Sequence, residues 1–178
     1  DLGSKLALFQ PMFPVEFEGL ESPRQQMDRF KEVRAGFVLQ SLPFDVRKST
    51  MALFMAEVLY RLVRESEPNR PLFDFVWGSA EALDAMDDGV SNFHLWFLLE
   101  LCAVLGFNPD TIDLAPFSGK HLDHIKSLLT SSFGEAMLLP LRGSDRNEIA
   151  ECILKYIEHH TESSVNVRSL AVLRDIYG

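Results

Sequence analysis

The sequence predicts a mainly α-helical protein in which a helical bundle is preceded by a β-hairpin. After residue 45, apolar residues recur at the three- and four-residue spacing of helices, and the segment FHLWFLLELCAVL is apolar nearly all the way round. Before residue 43, apolar and polar residues alternate, which is typical of strands. A helix without a polar face must be enclosed by other elements, so we expect the bundle to be built around this segment.

The composition bounds the class of protein. A chain of 178 residues with 47% hydrophobic and 24% charged residues is typical of one medium-sized globular domain. It contains no apolar run of roughly 18 residues, the length of a membrane span. Its first residues lack the basic flank and cleavage site of a signal peptide, and because there is no initial Met we expect processing or missing upstream residues. Two cysteines without a CxxC pair predict no disulfide and no zinc site, which suits a reducing cytoplasm.

The net charge of −9 is unevenly distributed along the chain. Residues 1–64 hold nine Lys/Arg against eight Asp/Glu, a balance of +1, whereas residues 65–178 hold eight against eighteen, a balance of −10. Acidic surface repels phosphate, so we expect any nucleic-acid surface mainly in the first third of the chain. The acidic remainder is interpreted as a solvated face that aids solubility.

The first part of the chain predicts two antiparallel strands. Residues 6–18 alternate from Phe13 to Phe17, and two prolines restrict them to an edge strand or a strand entry. Residues 19–26 are polar and predict a turn, and residues 30–38 alternate again with an imperfect phase. A two-stranded hairpin is marginal in water, so it needs a larger sheet or a helical domain to pack on.

A domain boundary is predicted at Pro43, between residues 1–43 and residues 44–178. Asp45 predicts the N-cap of the first helix, whose apolar stripe continues as far as Leu62. The other face of this helix is predicted to be solvated, with a surface ion pair between Glu57 and Arg61. Its charged residues are Arg47, Lys48, Glu57, Arg61 and Arg64.

The next two helices have recognisable start and stop residues. Asn69 followed by a proline opens the second helix, and residues 87–89 predict the turn that follows it. Ser91 or Asn92 is expected to cap the third helix, which Gly106 ends. His94 in its first turn is interpreted as a structural histidine.

The last part of the chain has weaker signals. Residues 107–120 and 133–143 are predicted as connections, because proline and glycine occur in both. Asp145 and Glu148 resemble a capping box at the start of the next helix. A final helix is predicted from RSLAVLRDIYG, and the residues expected to face the bundle are Leu170, Leu173 and Ile176.

The motifs of catalysis and metal binding are missing from the sequence. There is no GxGxxG, P-loop, GxSxG or HExxH pattern, so we expect neither an enzyme nor a cofactor. His121 and His124 have a spacing that metal ligands use, yet no suitable third ligand lies within a turn. A metal-dependent hydrolase built on this pair is therefore a rival hypothesis, and no metal is expected.

Several short motifs cover most of the chain in a recognisable order. They are LFQP at 8–11, FKEV at 30–33, AEVLY at 56–60, ESEP at 65–68, PLF at 71–73, NFHL at 92–95, LGFNP at 105–109, RSL at 168–170 and VL at 172–173. Their order resembles the RecO family of bacterial recombination mediators, in particular the branch without zinc found in Bacteroidetes.

The resemblance implies an N-terminal OB-fold barrel followed by a helical domain, so the hairpin represents the last strands of a barrel whose first strands are missing. It also implies a DNA repair protein of the bacterial cytoplasm and nucleoid that binds and anneals single- and double-stranded DNA. The implied partners are RecR and the C-terminal tail of single-stranded-DNA-binding protein, with which the family helps to load RecA. The four-cysteine zinc site of many members is absent from this sequence, and the acidic charge departs from a DNA-binding composition.

Two candidate sites follow from this resemblance and from the position of the cations. An OB groove uses cations for phosphates and aromatic rings for base stacking. The DNA candidates in and before the second strand are Arg24, Arg29, Lys31 and Arg34, and ordinary surface charge is an equally good interpretation of them. Phe30 and Phe37 are candidates for stacking, against the simpler interpretation of core packing. The candidates for binding the acidic tail are Arg142, Arg146 and Lys155. The alternative function is a helical protein-interaction module without direct DNA binding.

Overall fold

The computed structural model describes residues 7–20, 29–63 and 68–178. Within these ranges the chain forms a two-stranded antiparallel sheet followed by eight α-helices, which confirms the mainly α prediction. None of these helices is long and apolar enough to cross a bilayer. The strands are β1 (Val15–Leu20) and β2 (Arg29–Ala35), and the helices are α1 (Val46–Leu62), α2 (Arg70–Ala85), α3 (Phe93–Val104), α4 (Thr111–Ser118), α5 (Leu122–Thr130), α6 (Phe133–Leu138), α7 (Gly143–Thr161) and α8 (Ser169–Tyr177).

Helix α3 lies at the centre of the bundle, as its apolar sequence predicts. Eight of its twelve residues are buried, and it packs against α1, α2, α6 and α7. His94 is buried with them, and its ring meets that of Phe54 edge-on at 5.8 Å. Burial and the charge of Arg146 outweigh a contact to the backbone of Ser91 and lower the pKa of His94 to about 3. The imidazole therefore acts as a neutral core side chain near pH 7.

Helix α1 begins where the sequence predicts. The carboxylate of Asp45 accepts hydrogen bonds from the backbone N–H groups of Arg47 and Lys48. The predicted solvated face is wrong at Lys48, which is only 4% exposed. Its Nζ donates to Ser41 Oγ at 2.6 Å and to the backbone carbonyl of Asp84 at 2.8 Å. These two acceptors, which lie outside α1, explain how a charged side chain is buried there.

Helix α8 runs antiparallel along α1 and is held at both ends. The predicted ion pair between Glu57 and Arg61 is present at 3.7 Å. The carboxylate of Glu57 also accepts the backbone N–H and the hydroxyl of Ser169, at 2.8 and 2.6 Å. Burial opposes ionisation of Glu57, but these bonds outweigh burial and lower its pKa. At the other end, the hydroxyl of Tyr177 donates to the carbonyl of Arg47 at 2.7 Å.

The inward face of α8 differs by one position from the prediction. Leu173 is buried and Leu170 is partly buried, as expected. Ile176 is 39% exposed, however, and Tyr177 is buried in its place. The reason is the hydrogen bond between Tyr177 and α1, which turns the aromatic ring inwards.

The two segments predicted as connections contain short helices, so those predictions are wrong. Asp110 caps α4 by accepting two backbone N–H groups, at 2.7 and 2.8 Å. Ser132 and Glu135 form a complete capping box at the start of α6. Both helices are too short to show a clear hydrophobic period. The prolines and glycines therefore led to the prediction of loops. In the structure, the side-chain caps start short helices in spite of these residues.

Two predicted helix caps are also wrong. The side chain of Asn92 does not cap α3, and its Nδ2 instead donates to the carbonyls of Ala136, Met137 and Leu139 at the end of α6. Helix α7 begins at Gly143 without a side-chain cap. Glu148 turns away from the helix start and contacts His121 and Lys120. In both cases a tertiary partner takes the polar group that the local pattern assigned to a cap.

The connection between the hairpin and α1 is fixed by one carboxylate at the end of α2. Three consecutive backbone N–H groups, those of Gln40, Ser41 and Leu42, donate to the carboxylate of Asp84 at 2.8, 2.9 and 2.7 Å. Burial opposes the charge of Asp84, but these bonds and the charge of Lys48 outweigh burial and lower its pKa. We call this arrangement, with the buried ammonium of Lys48, the Asp84 clamp.

Replacing the clamp carboxylate by an amide should destabilise the fold. In Asp84→Asn the amide group faces backbone donors, so we expect the free energy of unfolding to fall by roughly 2 to 4 kcal/mol near neutral pH. A carboxylate whose pKa is lowered by folding stabilises the protein above its unfolded pKa of about 3.9 and loses that effect as the pH falls through its folded pKa. The difference between the two proteins should therefore disappear in acid. Urea titrations at several pH values measure it.

Asp88→Asn is the matched control, because Asp88 is exposed in the turn that follows α2. It removes the same charge without removing a bond of the clamp. Equal losses of stability in the two variants would mean that the clamp carboxylate contributes only its charge to the fold.

Candidate functional site

A β-bulge places the two described DNA candidates of β2 on one face of the hairpin. Glu16 lies opposite Arg34 and Glu18 lies opposite Lys31, and the register shifts between these two pairs. Glu32 has a φ of +52°, which marks the extra residue of the bulge. In a regular strand, residues three apart point to opposite faces. Because of the bulge, Lys31 and Arg34 share a face.

This face carries both signs of charge. Arg34 contacts Glu16 Oε2 through Nη2 at 2.7 Å and through Nε at 2.8 Å, and both side chains are largely exposed. Lys31 is exposed opposite Glu18. The described side chains of the hairpin therefore present two cations among carboxylates, and they do not form a continuous positive surface.

The other sequence candidates of this region are only partly described. The backbone of Arg29 pairs with Leu20 in the sheet, and Arg24 lies outside the described residues. The backbone of Phe30 pairs with Gly19. Phe37 packs edge-on against Trp77 of α2, with ring centroids 5.2 Å apart. Its ring is thus part of a surface aromatic contact between the hairpin connection and the bundle.

A second group of cations surrounds Tyr177, where the ends of α1, α7 and α8 meet. The guanidinium of Arg47 lies 5.1 Å from the centroid of the Tyr177 ring. Arg146 donates from Nη2 to the carbonyl of Tyr177 at 2.5 Å and from Nη1 to the carbonyl of Leu141 at 2.6 Å. We call this group the Tyr177 arginine cluster; Arg47 and Arg146 contact Tyr177 directly, and we add Arg142 and Arg174 because their backbones lie next to it.

Close backbone contact brings the remaining two arginines to this place. Gly143, which follows Arg142, packs so closely on Gly178 that a Cβ built on it would lie 2.7 Å from the Gly178 Cα. The N–H of Gly178 in turn donates to the carbonyl of Arg174 at 2.8 Å. Only glycine fits at position 143, and its small size lets the start of α7 approach the end of α8.

The electrostatic environment of the cluster combines its arginines with one nearby carboxylate, that of Asp45. Burial lowers the pKa of the half-buried Arg146, and the nearby charge of Arg47 lowers it further, while Tyr177 opposes the shift. Burial raises the pKa of the Tyr177 phenol to about 12, so the ring is neutral at physiological pH. Across the described ranges, neither Arg142 nor Arg174 forms an ion pair, unlike Arg34 and Arg70. Arginines without a carboxylate partner are available to a negatively charged ligand.

The structure brings together only two of the three predicted tail-binding residues. Arg142 and Arg146 lie one turn apart at the start of α7, in the Tyr177 arginine cluster. Lys155 is exposed on the same helix, thirteen residues after Arg142. At 1.5 Å per residue this separation is about 20 Å along the axis. Sequence reasoning missed Arg47 and Arg174, whose closeness to α7 depends on the antiparallel packing of α1 and α8.

The histidine pair belongs to a small polar cluster. The Nδ1 atoms of His121 and His124 are 3.4 Å apart, and His121 Nε2 lies 2.8 Å from a carboxylate oxygen of Glu148. The bond to His121, with that to Lys120, lowers the pKa of Glu148. Sequence reasoning missed Glu148 because it comes from another helix. In the described part of the chain, no group of three or more histidine, cysteine or acidic side chains is arranged to hold a metal ion.

Comparison with known proteins relates nearly the whole chain to one family. Residues 43–115 match the family model described as "Recombination protein O C terminal". The chain is 31% identical to the DNA repair protein RecO of Phocaeicola vulgatus, over 97% of this chain and 80% of that protein. It is 32% identical to the RecO proteins of Christiangramia forsetii and Bacteroides fragilis, over 98% and 97% of this chain and 80% and 81% of theirs. No solved structure matches the chain.

Proposed function

We propose a function from one premise: the chain belongs to the RecO family of DNA repair proteins. Its proposed role is that of a recombination mediator, which binds and anneals DNA strands and helps to load recombinase onto coated single-stranded DNA. The observation that carries this proposal is the similarity to RecO proteins over 97% of the chain. The proposed partners are DNA, RecR and the C-terminal tail of single-stranded-DNA-binding protein.

We assign DNA contact to the hairpin part, residues 1–43, which we propose as the end of an OB-like domain. Its cations are Arg24, Arg29, Lys31 and Arg34. An exposed ion pair such as that of Arg34 with Glu16 is worth less than about 1 kcal/mol. A phosphate can therefore replace the carboxylate at little cost. Annealing breaks no covalent bond, and it requires only that the charge of two strands be neutralised.

We assign the acidic tail of the coating protein to the Tyr177 arginine cluster. Arg146 is held by two backbone carbonyls, and Arg142 and Arg174 beside it are exposed. A peptide carboxylate would complete their charge-assisted hydrogen bonds. DNA and tail would then be bound at different places, so one protein could hold a strand and the protein that coats it together.

The alternative function is a helical protein-interaction module that does not bind DNA directly. The carboxylates among the hairpin cations and the balance of −10 over residues 65–178 favour this alternative. The two functions differ in their response to salt. Binding through phosphate contacts weakens steeply as salt rises, because counterions are released from the DNA, whereas docking of an apolar peptide does not.

The first prediction of the proposal concerns DNA. Fluorescence anisotropy with a labelled oligonucleotide should show binding that weakens strongly between about 50 and 200 mM salt. The charge reversals Lys31→Glu and Arg34→Glu should each weaken DNA binding. Each should also reduce the slope of log affinity against log salt concentration by about one, the value for one lost phosphate contact. Lys126→Glu on α5 is the control, since it changes the charge equally outside the hairpin. A salt-independent affinity would favour the interaction module.

The second prediction concerns the tail. A labelled acidic peptide with an apolar end should bind the protein, and Arg142→Glu should weaken that binding about tenfold or more, since hydrogen bonds to charged groups are worth about 1.5 to 3 kcal/mol. Lys155→Glu makes the same change of charge on the same helix, about 20 Å away, and should have little effect. Equal losses in both variants would contradict the assignment to the arginine cluster.

A further inference from the structure

A ladder of planar groups, exposed at Arg70 and Phe73 and partly buried at Phe37 and Trp77, runs along α2 from the end of β2. The ring of Phe37 meets Trp77 at 5.2 Å between centroids, and Trp77 meets Phe73 at 5.6 Å with 31° between their planes. The guanidinium carbon of Arg70 lies 5.6 Å from the centroid of Phe73. We call these four groups the α2 ladder. Its members on α2 recur every three or four residues, so they occupy one face of the helix.

The core accounts for only part of this face. Leu72, Ser79 and Leu83 are buried on the other side of α2, whereas Ala80 and Asp84 continue the ladder's face and are buried further along the helix. Phe73 remains 52% exposed, although it sits between Arg70 and Trp77. Phe73 is thus part of a contiguous group of planar side chains at the surface. Contiguous exposed apolar groups are typical of binding surfaces, whereas single exposed residues are common everywhere.

Two hydrogen bonds fix the orientation of the ladder. Arg70 Nε lies 2.8 and 2.9 Å from the two carboxylate oxygens of Asp74, one turn further along α2. The indole N–H of Trp77 donates to a carboxylate oxygen of Glu81 at 3.3 Å. The planes of both groups are therefore set before any ligand arrives, which reduces the entropy lost on binding.

The ladder continues directly from the hairpin. Gly36 follows β2, and a Cβ built on it would lie only 2.6 Å from Trp77 Cη2. The absence of a side chain at this position lets the chain leaving β2 lie against the indole. Arg34, a proposed phosphate contact, is thus three residues from Phe37 at the beginning of the ladder.

We propose that the α2 ladder stacks the bases of single-stranded DNA whose phosphates run along the hairpin. This inference rests on the proposed DNA binding and assigns a second part of the chain to it. Aromatic rings and the arginine plane are surfaces on which every base can stack. Because Asp74 and Glu81 outnumber the single cation Arg70, the ladder contributes stacking and leaves the salt dependence to the hairpin cations. The expected ligand is a single strand of any sequence, since paired bases are not free to stack.

Intrinsic fluorescence reports directly on the ladder. The chain has two tryptophans, and Trp96→Phe leaves Trp77 as the single emitter. Unlabelled oligothymidylate should quench this emission with the same midpoint as the binding curve from anisotropy. Binding without quenching would overturn the assignment of the ladder while leaving DNA binding intact. The absence of any binding would overturn the proposed function together with this inference.

Variants of the otherwise natural sequence test the same point independently of Trp96. Arg70→Lys keeps the charge and loses the planar group, and Phe73→Ala removes the ring on which the guanidinium lies. Each should weaken binding of oligothymidylate about tenfold with an unchanged slope against salt. Phe44→Ala removes a phenylalanine that is 83% exposed outside the ladder and should leave binding unchanged. Wild-type affinity in Arg70→Lys, or an affinity for the acidic peptide that falls instead, would contradict the proposal.

Discussion

The position of the hairpin on the bundle depends on the carboxylate of Asp84. Three consecutive N–H groups of an irregular connection lie at the edge of the core, where they have no strand or helix to bond with, and unsatisfied donors there would be costly. Asp84 satisfies all three, and the buried ammonium of Lys48 bonds to the carbonyl of the same residue. The clamp thus joins three parts of the chain. It also fixes the connection that places Phe37 against Trp77 in the middle of α2, where the surface ladder forms.

The proposed sites are local exceptions on an acidic protein. In the hairpin, a bulge turns two cations to one face, but carboxylates of the facing strand lie beside them. Around Tyr177 the ends of three helices bring together arginines that form no ion pair in the described ranges, although the carboxylate of Asp45 lies near the Tyr177 ring. The two groups of cations therefore suit different ligands. A strand that exchanges rapidly needs contacts that are easily replaced, whereas a short acidic tail needs cations with no competing carboxylate.

How much could be predicted from sequence depended on the range of the interactions concerned. The central helix and the caps at Asp45 and Asn69 were predicted correctly, because an apolar segment and a cap are properties of a few neighbouring residues. Lys48 was misinterpreted because its acceptors come from the preceding connection and from α2. The arginine cluster was only half predicted, since Arg47 joins Arg146 across roughly a hundred residues of chain. The bulge that aligns Lys31 with Arg34 depends on the positive φ angle of Glu32. A glutamate gives no indication of such an angle in the sequence.

We propose that one protein binds the strand and the tail of its coating protein at separate places. Strand annealing measured on naked and on coated complementary oligonucleotides tests this separation most directly. Arg142→Glu should anneal naked strands at the wild-type rate and coated strands about tenfold more slowly, because only the second reaction requires the tail. If the variant loses both reactions equally, or if the wild-type protein anneals neither substrate, the account is contradicted.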